Sequence, residues 1–133
     1  MNLIVLDTDT VSLYRKGRLP ASQVRRIQST PICITFVSVG ELHKWALVHR
    51  WGAAARGGME LWIARRSILP YDPEVARTWG AIAAGAQLRG RRRPENDTWV
   101  AACCIYSGLP LLTQNRRDFA DFAIHDGLRL LAA

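Results

Sequence analysis

Cysteine is scarce in this chain of 133 residues, and the three present, Cys33, Cys103 and Cys104, are odd in number and lack metal-ligand spacing. No disulfide framework or zinc knuckle is expected from them, and they read as small buried hydrophobes of a reducing compartment. Histidine is equally sparse: His43, His49 and His125 show no ligand spacing and read as surface or partly buried residues. No apolar run approaches the length a bilayer demands. The first one stops at Asp7 and no charged leader precedes it, so neither a signal peptide nor a membrane span is expected, and the cytoplasm is the expected location. Acidic residues are the minority charge, 11 against 18 Lys and Arg. No repeat, low-complexity segment or linker interrupts the chain, so residues 1–133 read as one domain.

What is present is a globular composition, 49% apolar and 22% charged, with a formal charge of +7. Nearly all of the cations are Arg. The guanidinium fork grips phosphate and carboxylate in a bidentate way that Lys cannot, so the surplus points to a polyanionic partner such as nucleic acid or an acidic protein. An Arg-rich genome produces the same bias.

Leu3 to Leu6 is an apolar run too short for a helix, and it fits a strand buried on both faces of a parallel sheet. Asp7 and Asp9 follow at once, at the strand's carboxyl end, where open α/β sheets bind ligands. Thr8 and Thr10 add hydroxyls that can cap a helix or hold a carboxylate. Val11 to Tyr14 reads as a brief helical turn, and Pro20 opens a helix over 21–28 with Val24 and Ile27 inward. Ile32 to Thr35 is a second strand. The next helix takes Ser38 as N-cap with Glu41 three residues on. Gly52 interrupts that pattern, and a further helix spans 53–66. Residues 67–71 form a third strand, and Asp72 and Pro73 start a helix to about Leu88. Residues 90–94 make a basic loop carrying Arg91, Arg92 and Arg93. A helix over 95–107 ends at Gly108, with Cys103 and Cys104 on different sides so that at most one is deeply buried. Residues 109–113 are a fourth strand, 115–119 a loop or short turn, and 123–131 an edge strand. Strands alternating with helices imply a parallel α/β sheet.

In that arrangement four places bring a carboxylate to one sheet edge: Asp7, Glu41, Asp97 and Asp118. Two carboxylates about 4 Å apart repel by roughly 4 kcal/mol at an effective dielectric of 20. Such a pocket therefore calls for a cation, and oxygen ligands select hard Mg²⁺ or Mn²⁺. A carboxylate-held metal beside a basic surface suits phosphodiester hydrolysis. Arg91 to Arg93, Arg116 and Arg117 flank two of the acids and could hold an RNA backbone. Each acid also has a bland role: a cap for Asp7 or Asp9, a capping-box partner for Glu41, a dipole complement for Asp97, and a pair with Arg116 or Arg117 for Asp118. Asp72, Glu74, Asp121 and Asp126 read as caps or solvated charges.

LDTDT, the Glu of SVGEL, the block NDTWVAAC and TQNRRDF, in this order, resemble the PIN-domain ribonucleases, specifically the VapC-like toxins of bacterial type II toxin–antitoxin pairs. The resemblance implies a PIN-like three-layer α/β/α sandwich around a mostly parallel sheet of four to five strands. It also implies an endoribonuclease using Mg²⁺ or Mn²⁺, usually a homodimer, inhibited by a VapB-like antitoxin whose tail fills the acidic site and an apolar groove. On this chain Asp7, Glu41 and Asp97 match the family's metal-binding acids, and the fourth place falls on Asn115 or Asp118. Thr113 resembles its strand-end hydroxyl, and Asp9 stands where Asn is common. Trp45, Trp51, Trp62 and Met59 are candidates for the groove, the dimer face or plain core.

Three other readings compete: a metal-free ribonuclease with two catalytic histidines, a PIN-type RNA-processing nuclease that is not a toxin, and a non-catalytic RNA- or protein-binding module. A phospho-accepting receiver is set aside, since the chain offers neither an Asp ending its third strand nor a Lys after a fifth.

Overall fold

The structure, a computed structural model, describes residues 2–132. Its centre is a four-stranded parallel sheet of β1 (Ile4–Leu6), β2 (Ile32–Thr35), β3 (Ser67–Leu69) and β4 (Leu111–Leu112), in the order β3-β2-β1-β4. The register sets Val5 beside both Cys33 and Leu111. β1 and β2 are buried throughout, as unbroken apolar runs under helices require. The chain leaves β1 toward β2 and β3 and later returns to its other side as β4. The strand order therefore reverses between β1 and β4.

Seven helices cover the sheet: α1 (Thr8–Arg15), α2 (Ala21–Ser29), α3 (Phe36–Val48), α4 (Ala53–Ala64), α5 (Pro73–Leu88), α6 (Glu95–Ser107) and α7 (Arg116–His125). Strand side chains alternate between two cores. Ile4, Leu6, Ile32, Ile34 and Leu112 pack with α1 to α4 through Val11, Ile27, Leu42 and Met59. Val5, Cys33 and Leu111 pack with α5 to α7 through Ile82, Val100, Phe119 and Phe122. The result is the expected α/β/α sandwich. Among the described residues no helix is long and apolar enough to cross a membrane.

Several local expectations give way. α1 is a full helix from Thr8, because Asp7 caps it with no intervening loop. The cap of α3 is Thr35, whose hydroxyl accepts the amide of Ser38, so Ser38 lies inside the helix and forms no capping box with Glu41. The 115–119 segment opens α7 and is not a loop. The tail contributes only a single parallel bridge, Leu111 to Leu130, instead of a strand. Cys103 and Cys104 are both buried, since α6 is covered on all sides from Val100 to Cys104. Burial pushes the Cys33 and Cys103 thiols up to about 11 and about 12, so neither is a nucleophile at neutral pH. Met59 is core, with no exposed surface.

Phe122 is fully buried between α7 and the sheet. Phe122→Ala should lower unfolding free energy by about 3–5 kcal/mol, read as a shifted urea midpoint at unchanged slope.

Candidate acidic site

Asp7 sits where β1 passes directly into α1, and both of its oxygens are engaged. Oδ1 accepts the Thr10 amide at 3.0 Å as the cap of α1, and Oδ2 accepts the hydroxyl of Thr113, which follows β4. Thr113 Oγ1 in turn accepts the Asn115 amide at 3.0 Å. Capping and membership of the site are thus the same placement. Asp7 is only 5% exposed. Burial raises its pKa above the ordinary carboxylate value, against hydrogen bonds from Thr10 and Thr113 that lower it.

Glu41 lies in the second turn of α3. Its Oε1 accepts the Thr8 hydroxyl at 2.6 Å and its Oε2 accepts the Asn96 side-chain amide at 3.2 Å. Thr8 Oγ1 is also 2.8 Å from Ser38 Oγ. Thr8 has one proton and gives it to Glu41, so Ser38 donates to Thr8. This chain joins the end of β1, α3 and the start of α6.

Asp97 is in the first turn of α6, which is anchored two residues on by Trp99. That ring stacks on Trp79 at 5.1 Å and meets the edge of Phe36 at 5.8 Å. The Asp97 carboxyl is pushed up to about 6, by burial first and then by the charges of Asp118, Asp7, Glu41 and Asp9. Four carboxylates from three other segments therefore face the same group. Asp9 is exposed and accepts the Asn115 side-chain amide at 2.8 Å. Asp118, in the first turn of α7, is 3.9 Å from Arg93, not paired with Arg116 or Arg117. Both residues considered for the fourth position thus border the site, Asn115 through Asp9 and Asp118 through Asp97.

The basic loop is less free than expected. Arg91 donates to Asp121 at 3.0 Å and Arg92 to Gln87 at 3.0 Å. Arg93 is mostly buried, 3.9 Å from both Asp118 and Asp121. Asp121 and Asp126 are accordingly not solvated: Asp121 holds two arginines, and Asp126 stands 3.9 Å from Arg89. Arg116 donates to the Leu131 carbonyl, whereas Arg117 is exposed. Asp72 and Glu74 behave as expected, as the cap of α5 and the partner of Arg77.

Burial first, and neighbouring carboxylates second, raise the pKa values of Asp7 and Asp97, and the donors of the cluster are all oxygen, which fits a hard divalent cation. Among the described residues no three acidic, His or Cys side chains stand close enough to share one ion. A hard divalent ion here would therefore take one or two of these carboxylates directly and keep several waters, as Mg²⁺ usually does. Sequence reasoning missed Asn96 and assigned Ser38 a different task. Asn96 could have been found as the polar neighbour of Asp97 in a helix's first turn, whereas the Ser38–Thr8 contact spans two elements and leaves no local signal.

Acids gathered at the carboxyl ends of parallel strands, beside the point where strand order reverses, occupy the place where open α/β sheets bind ligands. Residues 4–124 match the PIN domain family, and the chain belongs to that family. It is 30% identical over 117 residues to ribonuclease VapC2 of Haemophilus influenzae, covering 86% of this chain and 88% of that one. Among solved structures, DNA-bound VapBC from Salmonella typhimurium is 26% identical with a TM-score of 0.81 over 98% of both chains. VapBC-1 from nontypeable Haemophilus influenzae, 21% identical, shares the fold at a TM-score of 0.83 over 97% of this chain and 96% of that one.

Asp97 titrates near 3.8 when unfolded and about 6 when folded, so between those values only the folded chain keeps the proton. Its contribution to stability is present below pH 4 and lost as pH rises through 6. In EDTA, Asp97→Asn should melt above the parent chain at pH 7, with the difference closing near pH 4, by thermal denaturation followed by circular dichroism.

Proposed function

We propose that this chain is a Mg²⁺- or Mn²⁺-dependent endoribonuclease and the toxin of a VapBC-type pair. In this reading it acts in the cytoplasm as a homodimer and is silenced by a VapB-like antitoxin. The observation that carries the reading is the gathering of Asp7, Glu41, Asp9 and Asp118 around a part-buried Asp97, whose carboxyl is lifted to about 6 by burial first and by those charges second. Its support from outside the chain is the relative named ribonuclease VapC2, together with solved relatives described as VapBC complexes.

One or two of Asp7, Glu41 and Asp97 would hold the ion directly, and the remaining acids, Asp118 among them, would meet it through its waters. When bound, the ion supplies an activated water and charge for the leaving oxygen of an RNA phosphodiester. The other residues fix this equipment in place. Thr113 holds one Asp7 oxygen by donating to it. Thr8 and Asn96 each donate to one oxygen of Glu41. Such partners orient ligating carboxylates and keep them ionised. Asp97 is deprotonated above about pH 6, so activity should rise through that range. Exposed Arg117, next to Asp118 in α7, would meet the phosphate backbone, with Arg91, Arg92 and Arg116 as further exposed cations, while Arg93 stands 3.9 Å from Asp118.

RNA incubated with the purified protein should be cut with Mg²⁺ or Mn²⁺ and spared with EDTA. Asp97→Asn should lose at least about 100-fold in rate, the upper end of what loss of a mere supporting partner costs, while keeping its fold. Cleavage that persists in EDTA would overturn the metal-dependent reading. The toxin role is checked by expression in a bacterium: growth should arrest, and co-expression of the adjacent small reading frame should restore it.

Thr113→Val removes the donor to Asp7 without changing side-chain shape. The rate should fall about 10- to 100-fold, with a higher metal concentration needed for half-maximal activity, measured by metal titration of cleavage.

A further inference from the structure

Beside the acids lies a cleft of about 590 Å³ between α1, the end of α3 and the segment after β4. Half-buried Trp45 and Trp51 give it apolar walls, Lys16 stands at its rim, and Asp9, Gln114 and Asn115 form its border with the acidic site. We infer that this cleft is a nucleobase subsite, taking one unpaired base of the RNA strand whose phosphodiester lies at the acids. The inference rests on the nuclease reading for the strand it serves, but the cleft's chemistry argues for a base in its own right.

Aromatic faces stack any base, and a base next to a cut phosphodiester has its Watson–Crick edge open only in a single strand. The polar border is arranged to meet that edge. Gln114 turns its amide N–H inward, to Gln23 Oε1 at 2.7 Å and Thr10 Oγ1 at 3.5 Å. Asn115 gives an amide N–H to Asp9 at 2.8 Å. Among the described residues neither side-chain oxygen receives a hydrogen bond, so two acceptors border the cleft. Two acceptors suit an exocyclic amino group with its two N–H bonds, as in adenine, cytosine or guanine, better than uracil, whose single N3–H donor lies between two carbonyl oxygens that would face them. An apolar peptide side chain in the same place would cover these oxygens without a donor, at a cost. Lys16 is exposed and placed to pair with a flanking phosphate, a contact an apolar peptide also leaves unused.

The test is binding, not cleavage. Tetranucleotides of A, C and U, and one carrying an abasic residue, are titrated in EDTA into the full chain, following tryptophan fluorescence. The A and C oligomers should quench and bind more tightly than the U oligomer, and the abasic one most weakly. Trp51→Ala should weaken the A and C oligomers about 10- to 100-fold and Trp51→Phe much less, stacking being worth that much per base. Should Trp51→Ala fail to fold, Lys16→Ala on the surface serves in its place, lowering the salt slope of binding by about 0.7. Equal binding of all four oligomers, or affinity unchanged in Trp51→Ala and Lys16→Ala, would overturn the subsite and leave the cleft to a protein partner. Base-dependent binding by a chain that cuts no RNA with any metal would keep the subsite and sink the nuclease reading.

Discussion

Repulsion among carboxylates is the constraint around which this molecule is built. Parallel strands deliver their carboxyl ends to one edge, and in this chain three of the four deliveries bring an acid or a hydroxyl with them. Asp7 ends β1, Thr35 ends β2 and caps the helix carrying Glu41, and Thr113 follows β4. Left alone, that charge works against the fold, and together with the larger effect of burial it raises the Asp97 pKa. The surrounding structure answers it with donors: Thr10 and Thr113 on Asp7, Thr8 and Asn96 on Glu41, Asn115 on Asp9, and Arg93 near Asp118. These contacts cross from strand to helix and from one end of the chain to the other. The acids therefore stay where they are only while the sandwich around them is intact.

The same demand explains why a chain with a formal charge of +7 does not present a uniformly basic face. Arg91, Arg92 and Arg93 are held by Asp121, Gln87 and Asp118. Arg91 and Arg93 link α7 to the loop that leads into α6, and Arg92 ties that loop to α5. The surplus felt by a polyanion comes from what remains outside those pairs, such as Lys16 and Arg117. A run of like charges in sequence is thus a poor guide to the field at the surface.

What could be read from the sequence was whatever a single element encodes. The strands Ile4–Leu6 and Ile32–Thr35 are apolar on both faces because helices cover both sides of the sheet, and such runs are unmistakable. Asp72 with Pro73, and Gly108 with its positive φ, mark helix ends by local chemistry alone. Misreadings came where a neighbour decides. Ser38 has the chemistry of a cap, but β2 runs into α3 without a loop, so Thr35 three residues earlier takes that place. Asn115 to Asp118 looked like a polar turn, yet Phe119 and Phe122, three apart and both fully buried, pull the segment into a helix. Cys103 and Cys104 share burial because α6 is packed from every side, which its own sequence does not announce. At the acidic site the residue types were legible, but the hydroxyl and amide partners that link distant segments were not.

β4 has a further consequence. It is only two residues long, it comes last of the four strands, and it slots beside the first of them. Thr113, Asn115 and Asp118 arrive with it, within the final fifth of the chain. A polypeptide still emerging from the ribosome therefore holds Asp7, Glu41 and Asp97 without the strand that closes the sheet beside them. The order of synthesis itself delays assembly of the site until the chain past Asp118 has been made.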